Sequence, residues 1–346
     1  MDLRTPSVVT PGPAVAAWLA VLVLTAASGI LAGPATAAGP VPASPPAEAA
    51  LGGRLFADPR LSPDGRFSCA TCHRPDALFA SPGVARSPGR DGRPLAVNTP
   101  SLVGLERHGP YGHDGGGATL EAQIAGALLA RNEIANPSLQ ALGERLADDP
   151  VIAAGLAGAA GDRPAGEGVV AALAAFVRTL APGEAPFDRW RRGDREALTP
   201  AARRGLALFR GAAGCAACHR LDGARPSFRD GRFHDTGIAA RRWRRPLAAG
   251  ADVSAGRMNV TGRPADRFRV GTPGLRTAAS TPPYMHDGSL RTLADVVRYY
   301  AAGGARHDGL SPLLSPFPVD AGDVADLVAF LVSLDAAAAL RAGPAE

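Results

Sequence analysis

The sequence predicts an all-α protein made of two tandem, similarly built halves. Three observations carry this reading. Cys-x-x-Cys-His occurs twice, from Cys69 to His73 and from Cys215 to His219, and the two copies use all four cysteines of the 346-residue chain. Short strings recur in the same order around both copies. Apolar residues fall at helical spacing with no convincing alternating strand pattern, and the intervening stretches are rich in Gly and Pro and read as loops.

Each Cys-x-x-Cys-His is the attachment sequence of a c-type haem. One helical turn sets both sulfurs on the porphyrin edge and the imidazole under the metal. Cys69, Cys72 and His73 would hold one haem; Cys215, Cys218 and His219 would hold the other. With every cysteine so used, no disulfide is expected. Aromatic residues are only 5% of the chain, so a buried haem would help fill each core. The net charge of +5 is carried by Arg interspersed with Asp and Glu, which reads as a solvated surface and not as a nucleic-acid footprint.

In chain order, Arg4 followed by an apolar run from Ala14 to Ala27 and by Ala35-Thr36-Ala37 reads as an export signal over 1–38. An uncleaved anchor is the alternative, since the run extends to Ala32. Haem attachment outside the cytoplasm agrees with export and a periplasmic address. Residues 39–50 read as a Pro/Ala-rich linker, 51–182 as the first haem domain, 183–198 as a polar linker and 199–338 as the second. Leu55-Phe56 before the first motif matches Leu208-Phe209 before the second. Thr99-Pro100-Ser101-Leu102 matches Thr272-Pro273-Gly274-Leu275, and Tyr111-Gly112-His113-Asp114-Gly115 matches Tyr284-Met285-His286-Asp287-Gly288. Thr119-Leu120 matches Thr292-Leu293, and Leu173-Ala174-Ala175-Phe176 matches Leu327-Val328-Ala329-Phe330. Thr199 with Pro200 opens a helix through Phe209, Thr119 and Thr292 cap a second helix in each half, and 168–180 and 321–334 close the halves.

The duplication allows a comparison within one chain. Aligning His113 with His286 sets Tyr300 opposite Ala127 and Met285 opposite Gly112. The residues able to cap the second iron thus face counterparts that cannot, which leaves the first iron with an open sixth site and closes the second.

These strings resemble the bacterial diheme cytochrome c peroxidase and MauG family. The resemblance rests on Leu55-Phe56-Ala57-Asp58-Pro59-Arg60-Leu61-Ser62, both haem motifs, Asn98-Thr99-Pro100-Ser101-Leu102, Phe187-Asp188-Arg189-Trp190, Thr281-Pro282-Pro283-Tyr284-Met285-His286-Asp287-Gly288 and Ala329-Phe330-Leu331, and spans about Leu51 to Leu334. It implies two tandem cytochrome c-like domains, each wrapped round one covalent haem. It also implies reduction of hydrogen peroxide at the first haem with electrons relayed through the second. A small cytochrome c or a cupredoxin would be the donor. A MauG-like enzyme that oxidises a partner protein, and a non-catalytic electron carrier, are the alternatives.

The resemblance makes Glu133 the distal acid and Gln123 a polar residue of the same pocket. It places Tyr300 as distal ligand of the second haem, where peroxidases carry Met and MauG carries Tyr; Met285 is the rival. His113 stands where the family usually has Trp between the haems, so it is a relay, a structural residue or a ligand of the first iron. Ala213 stands where MauG has a surface Trp. Asn98, Thr281 and Pro283 match calcium ligands between the domains. His108, His234 and His307 are left as structural histidines.

Overall fold

Two long helices in each half cross so tightly that only glycine fits between them. In the computed structural model, which describes residues 46–105, 109–160, 163–243 and 254–336, α1 (Pro46–Ala57) packs on α6 (Ala165–Thr179), and α8 (Pro200–Arg210) on α12 (Ala321–Ser333). A Cβ on Gly52 would lie 1.9 Å from the Ala172 carbonyl oxygen, and one on Gly205 would lie 1.9 Å from that of Asp326. Gly52 and Gly205 each stand three residues before the recurring Leu-Phe pair, and each meets the recurring Phe, Phe176 or Phe330. The crossing is therefore duplicated along with the motifs.

The helix starts follow from their caps. Thr119 Oγ1 accepts from Ala122 N at 3.1 Å to open α3 (Leu120–Leu129). Thr292 and Asp295 form a reciprocal capping box on α11 (Leu293–Ala301), and Thr199 Oγ1 accepts from Ala202 N on α8, with Pro200 in the first turn. Such caps satisfy backbone donors that the helix itself cannot. The one-turn helix α2 (Cys69–Cys72) carries the first motif, and a 3₁₀ turn over Cys215–Ala217 carries the second.

Two cores result. The first gathers Leu55, Phe56, Leu61, Leu128, Leu142, Leu146, Val169 and Leu173; the second gathers Phe187, Leu198, Leu206, Phe209, Phe228, Leu327 and Phe330. Two helices of the first half, α4 (Leu139–Ala147) and α5 (Pro150–Ala160), lie outside the repeated strings and deepen its core with Leu142, Leu146, Ile152 and Leu156.

Three expectations need adjustment. Helix α1 starts at Pro46, inside the stretch read as linker 39–50. Within 183–198, also read as linker, Pro186–Arg191 form α7. Its Phe187 is fully buried, and Asp188 makes a two-pronged ion pair with Arg276 at 2.7 and 2.8 Å, both side chains being under 10% exposed. Burial raises the Asp188 pKa, but Arg276 and the Ala185 N–H outweigh it and the carboxyl ends below its ordinary value. A buried charge needs such a partner, so a charged residue there marks packing. Finally, a two-residue antiparallel pair, β1 (Phe233–His234) with β2 (Val270–Gly271), is present; it is too short to show periodicity. The short helices α9 (Ile238–Trp243) and α10 (Met258–Thr261) complete the order. The export signal lies outside the described residues, among which no helix is long and apolar enough to cross a membrane.

The glycine crossings yield a direct test. Gly205→Ala should lower stability by about 1–3 kcal/mol through overpacking against the Asp326 carbonyl, read as a lower urea midpoint with unchanged m-value. An unchanged midpoint would show that the crossing can relax.

Candidate functional site

Each motif histidine is held by the same device. His73 Nδ1 lies 3.0 Å from the Phe79 carbonyl and 3.1 Å from that of Pro100. His219 Nδ1 lies 2.9 Å from the Phe228 carbonyl and also bonds that of Pro273. A carbonyl only accepts, so Nδ1 carries the proton and Nε2 is left as a bare donor atom for a metal. Burial pulls both imidazole pKa values down and keeps the rings neutral. Phe79 and Phe228 present their carbonyls from left-handed backbone, at φ +53° and +58°, a conformation that bulky residues rarely adopt. Pro100 and Pro273 are the prolines of the repeated Thr-Pro strings, and that repeat thereby acquires a physical purpose.

The thiols lie beside these rings. Burial raises Cys69 to about 12 and Cys215 and Cys218 each to about 11. Glu133 lies close enough to the first pair that its charge also acts on Cys69 and Cys72. Glu133 is exposed as a residue, yet desolvation at its carboxyl raises its pKa.

Asn136, only 4% exposed, fixes the turn that carries Glu133. Its amide donates to the Leu61 and Leu128 carbonyls at 2.9 and 3.0 Å, and its Oδ1 accepts from Arg145. Neither Asn136 nor Arg145 stands out in the sequence; a polar residue so close to the helix end gives no sign of its burial.

Gln123, on α3, faces the 111–117 loop, its Oε1 lying 2.8 Å from where a Cβ on Gly112 would be. His113 Nε2 is 3.0 Å from the Asn98 carbonyl, while the Asn98 N–H donates to the His286 carbonyl at 2.7 Å. The two repeated His-Asp-Gly loops thus meet across Asn98. Burial lowers the pKa of His113; burial and the neighbouring His113 lower His286 to about 4. The Asn98 side-chain amide donates to the Val84 and Ala85 carbonyls, and Gly83 N donates to the Pro282 carbonyl. Asn98 therefore lies in the loop cluster packed on the segment of Thr281 and Pro283, although the Thr281 hydroxyl is itself spent on the Thr277 carbonyl.

In the second half the two rival ligands converge. The Tyr300 hydroxyl and Met285 Sδ are 4.0 Å apart. Burial raises the Tyr300 phenol above its ordinary value, with smaller contributions from Tyr299, Cys218 and Cys215. Met285 has φ +70°, matching Gly112 at φ +81°. His234 pairs with Asp230 at 2.7 Å, and His307 with Asp235 at 3.0 Å; His108 lies outside the described residues.

These groups fit two covalently attached haems. Two neutral imidazoles offer Nε2, and four thiols stand at one-turn spacing. The buried Arg242 Nε has no hydrogen-bond partner near His286, and Arg229, a half-buried cation whose Nε donates to the Thr272 carbonyl, acts on His113. Buried cations call for anions, which haem propionates supply.

Comparison with known proteins agrees. The profile of the di-haem cytochrome c peroxidase family matches residues 46–196, and that of cytochrome c matches 202–335. The methylamine utilization protein MauG of Methylorubrum extorquens is 42% identical over 289 residues, covering 83% of this chain and 78% of its own. The crystal structure of a MauG-like protein associated with microbial copper homeostasis superposes with a TM-score of 0.76 at 30% identity, covering 88% of this chain and 94% of the other. The diheme peroxidase BthA from Burkholderia thailandensis gives 0.70 at 28% identity, covering 85% and 87%.

Proposed function

The chain belongs to the di-haem cytochrome c peroxidase and MauG family, and from that premise we propose that it reduces hydrogen peroxide at the His73 haem, in the periplasm, with electrons supplied through the His219 haem. It is an oxidoreductase of the cytochrome-c-peroxidase type with two c-type haem motifs. The observation that carries the finer reading is the inequality of the two distal sides. Glu133 stands beside the first motif, where Ala127 and Gly112 replace the residues that crowd the second, Tyr300 and Met285.

A haem iron with an open site binds peroxide and accepts its oxidising equivalents. The protein's own part is proton handling and positioning. Glu133, raised by burial, takes a proton from the oxygen that binds and delivers it to the oxygen that leaves. Gln123 offers an amide on the same distal side. His113, bonded to the Asn98 carbonyl, stiffens the junction between the halves. Tyr300 would be the residue that holds the second haem's iron from the side opposite His219, and a bound cation there would draw down a phenol that burial alone holds neutral. Oxidation of a bound partner protein is the second reading, favoured by that Tyr, since a phenolate is a harder ligand than a thioether and favours oxidised iron. Calcium would bind the Asn98 carboxamide oxygen and the carbonyls of Thr281 and Pro283. A small cytochrome or cupredoxin is the donor.

Glu133→Gln should lower kcat/KM for peroxide about 10²- to 10⁴-fold. Because the carboxylate is the working form and its pKa is raised, wild-type activity should fall with acid at a higher pH than an ordinary carboxylate would give. The variant should lose that limb, and a variant with wild-type rate and pH profile removes Glu133 from the mechanism. Tyr300→Phe should change the ferric spectrum of the second haem while Met285→Leu leaves it unaltered; the reverse pattern assigns the ligand to Met285. A calcium chelator should shift the haem spectrum and slow turnover, and readded calcium should restore both. No response would rule calcium out.

A further inference from the structure

A second feature of the C-terminal half lies on its surface. Trp243, the last residue of α9, is 48% exposed, and no other aromatic among the described residues is a large exposed apolar side chain. The Arg267 guanidinium lies 4.6 Å from the Trp243 ring and 4.6 Å from the Phe268 ring, so it bridges the two. Cation–π contact of this kind holds an exposed indole in a fixed pose. Arg241, Arg263, Arg267 and Arg269 are all exposed nearby in the chain. The acid among them, Asp266, is mostly buried and already 3.9 Å from both Arg263 and Arg269. An exposed Trp set among Arg is the composition of a protein-binding hot spot, and the excess charge is positive.

The path behind this face is continuous. Trp243 packs on Phe268 at 5.8 Å between ring centroids, and Phe268 on His307 at 6.2 Å. His307 Nε2 is 3.0 Å from the buried Asp235 carboxylate. The carbonyl of the next residue, Thr236, accepts from the Tyr299 hydroxyl at 2.6 Å. Tyr299 and Tyr300 are 5.7 Å apart, and Tyr300 lies among the second motif's thiols. The steps are ring contacts, one ion pair, one covalent link and one hydrogen bond, and such a route carries an electron better than gaps of the same length.

We propose that the face built by Trp243 and Arg267 docks an acidic one-electron donor protein and admits its electron toward the second haem. This rests on the reading under Proposed function. Each donor molecule loses one electron and its metal rises by one oxidation state. Two such electrons, with two protons, convert one hydrogen peroxide into two waters. Positive charge on the receiving face steers an acidic partner and repels a basic one.

The test uses the diheme holoprotein and two purified c-type cytochromes of similar potential, one acidic and one basic. Binding is measured calorimetrically at several ionic strengths, and peroxide turnover is followed with each reduced cytochrome and with the small donor ABTS. The wild type should bind the acidic cytochrome more tightly and lose that affinity as salt rises. Arg267→Glu should weaken that binding about tenfold and flatten the salt dependence. Trp243→Ala should weaken it at all salt concentrations, and both variants should turn over ABTS at the wild-type rate with unchanged circular dichroism. Equal affinity for the two cytochromes, or variants that bind the acidic one like the wild type, overturns the proposal. Failure of the wild type to consume peroxide even with ABTS, alongside salt-sensitive binding that the variants lose, overturns the peroxidase reading and leaves the docking face standing.

Discussion

Everything at the two metal-binding ends hangs on one interaction, made twice: an imidazole Nδ1–H given to backbone carbonyls. Without it a buried histidine could choose either tautomer and any ring angle. With it, Nε2 is bare and aimed. The interaction explains features that otherwise look unrelated. Phe79 and Phe228 accept left-handed backbone because their carbonyls must turn inward, and strain of that kind persists only where the surroundings hold it. The Thr-Pro strings recur because Pro100 and Pro273 supply the second acceptor in each half.

The frame that supports these bonds is also duplicated, and its tolerance is small. At Gly52 and Gly205 the helices approach so closely that a methyl group would meet a carbonyl oxygen. Around this shared frame the halves diverge. The first adds α4 and α5 and spends Asn136 and Arg145 on fixing the turn of Glu133. The second spends Asp188 and Arg276 on fastening α7 to its core. Divergence thus falls on the elements and ion pairs that each half adds to the shared frame. The family match accounts for the common frame; the particular side chains give this member its character.

The junction between the halves is built from the same repeat. His113 and His286 come from equivalent loops and meet through Asn98: the His113 ring donates to its carbonyl, and the His286 carbonyl accepts its N–H. Burial lowers the pKa of both rings, so the junction carries little charge of its own, and the half-buried Arg229 and Arg242 beside it set a positive field suited to anionic groups.

Much of this was legible in the chain itself. Two Cys-x-x-Cys-His motifs determined where haem attaches, because that chemistry needs three residue types at fixed spacing. Thr119, Thr199 and Thr292 marked helix starts, because capping is a local bond. The aligned strings set Tyr300 against Ala127 and Met285 against Gly112. What only the tertiary structure decided depends on atoms far apart in sequence. The pairing of His73 with Pro100, of Asp188 with Arg276 and of Asn136 with Leu61 leaves no spacing to read. The burial of α7 could not be told from a polar linker, since Asp and Arg look solvated until they are seen paired. The meeting of Trp243 with Arg267 likewise arises because folding, and not local preference, brings a helix end against a distant loop.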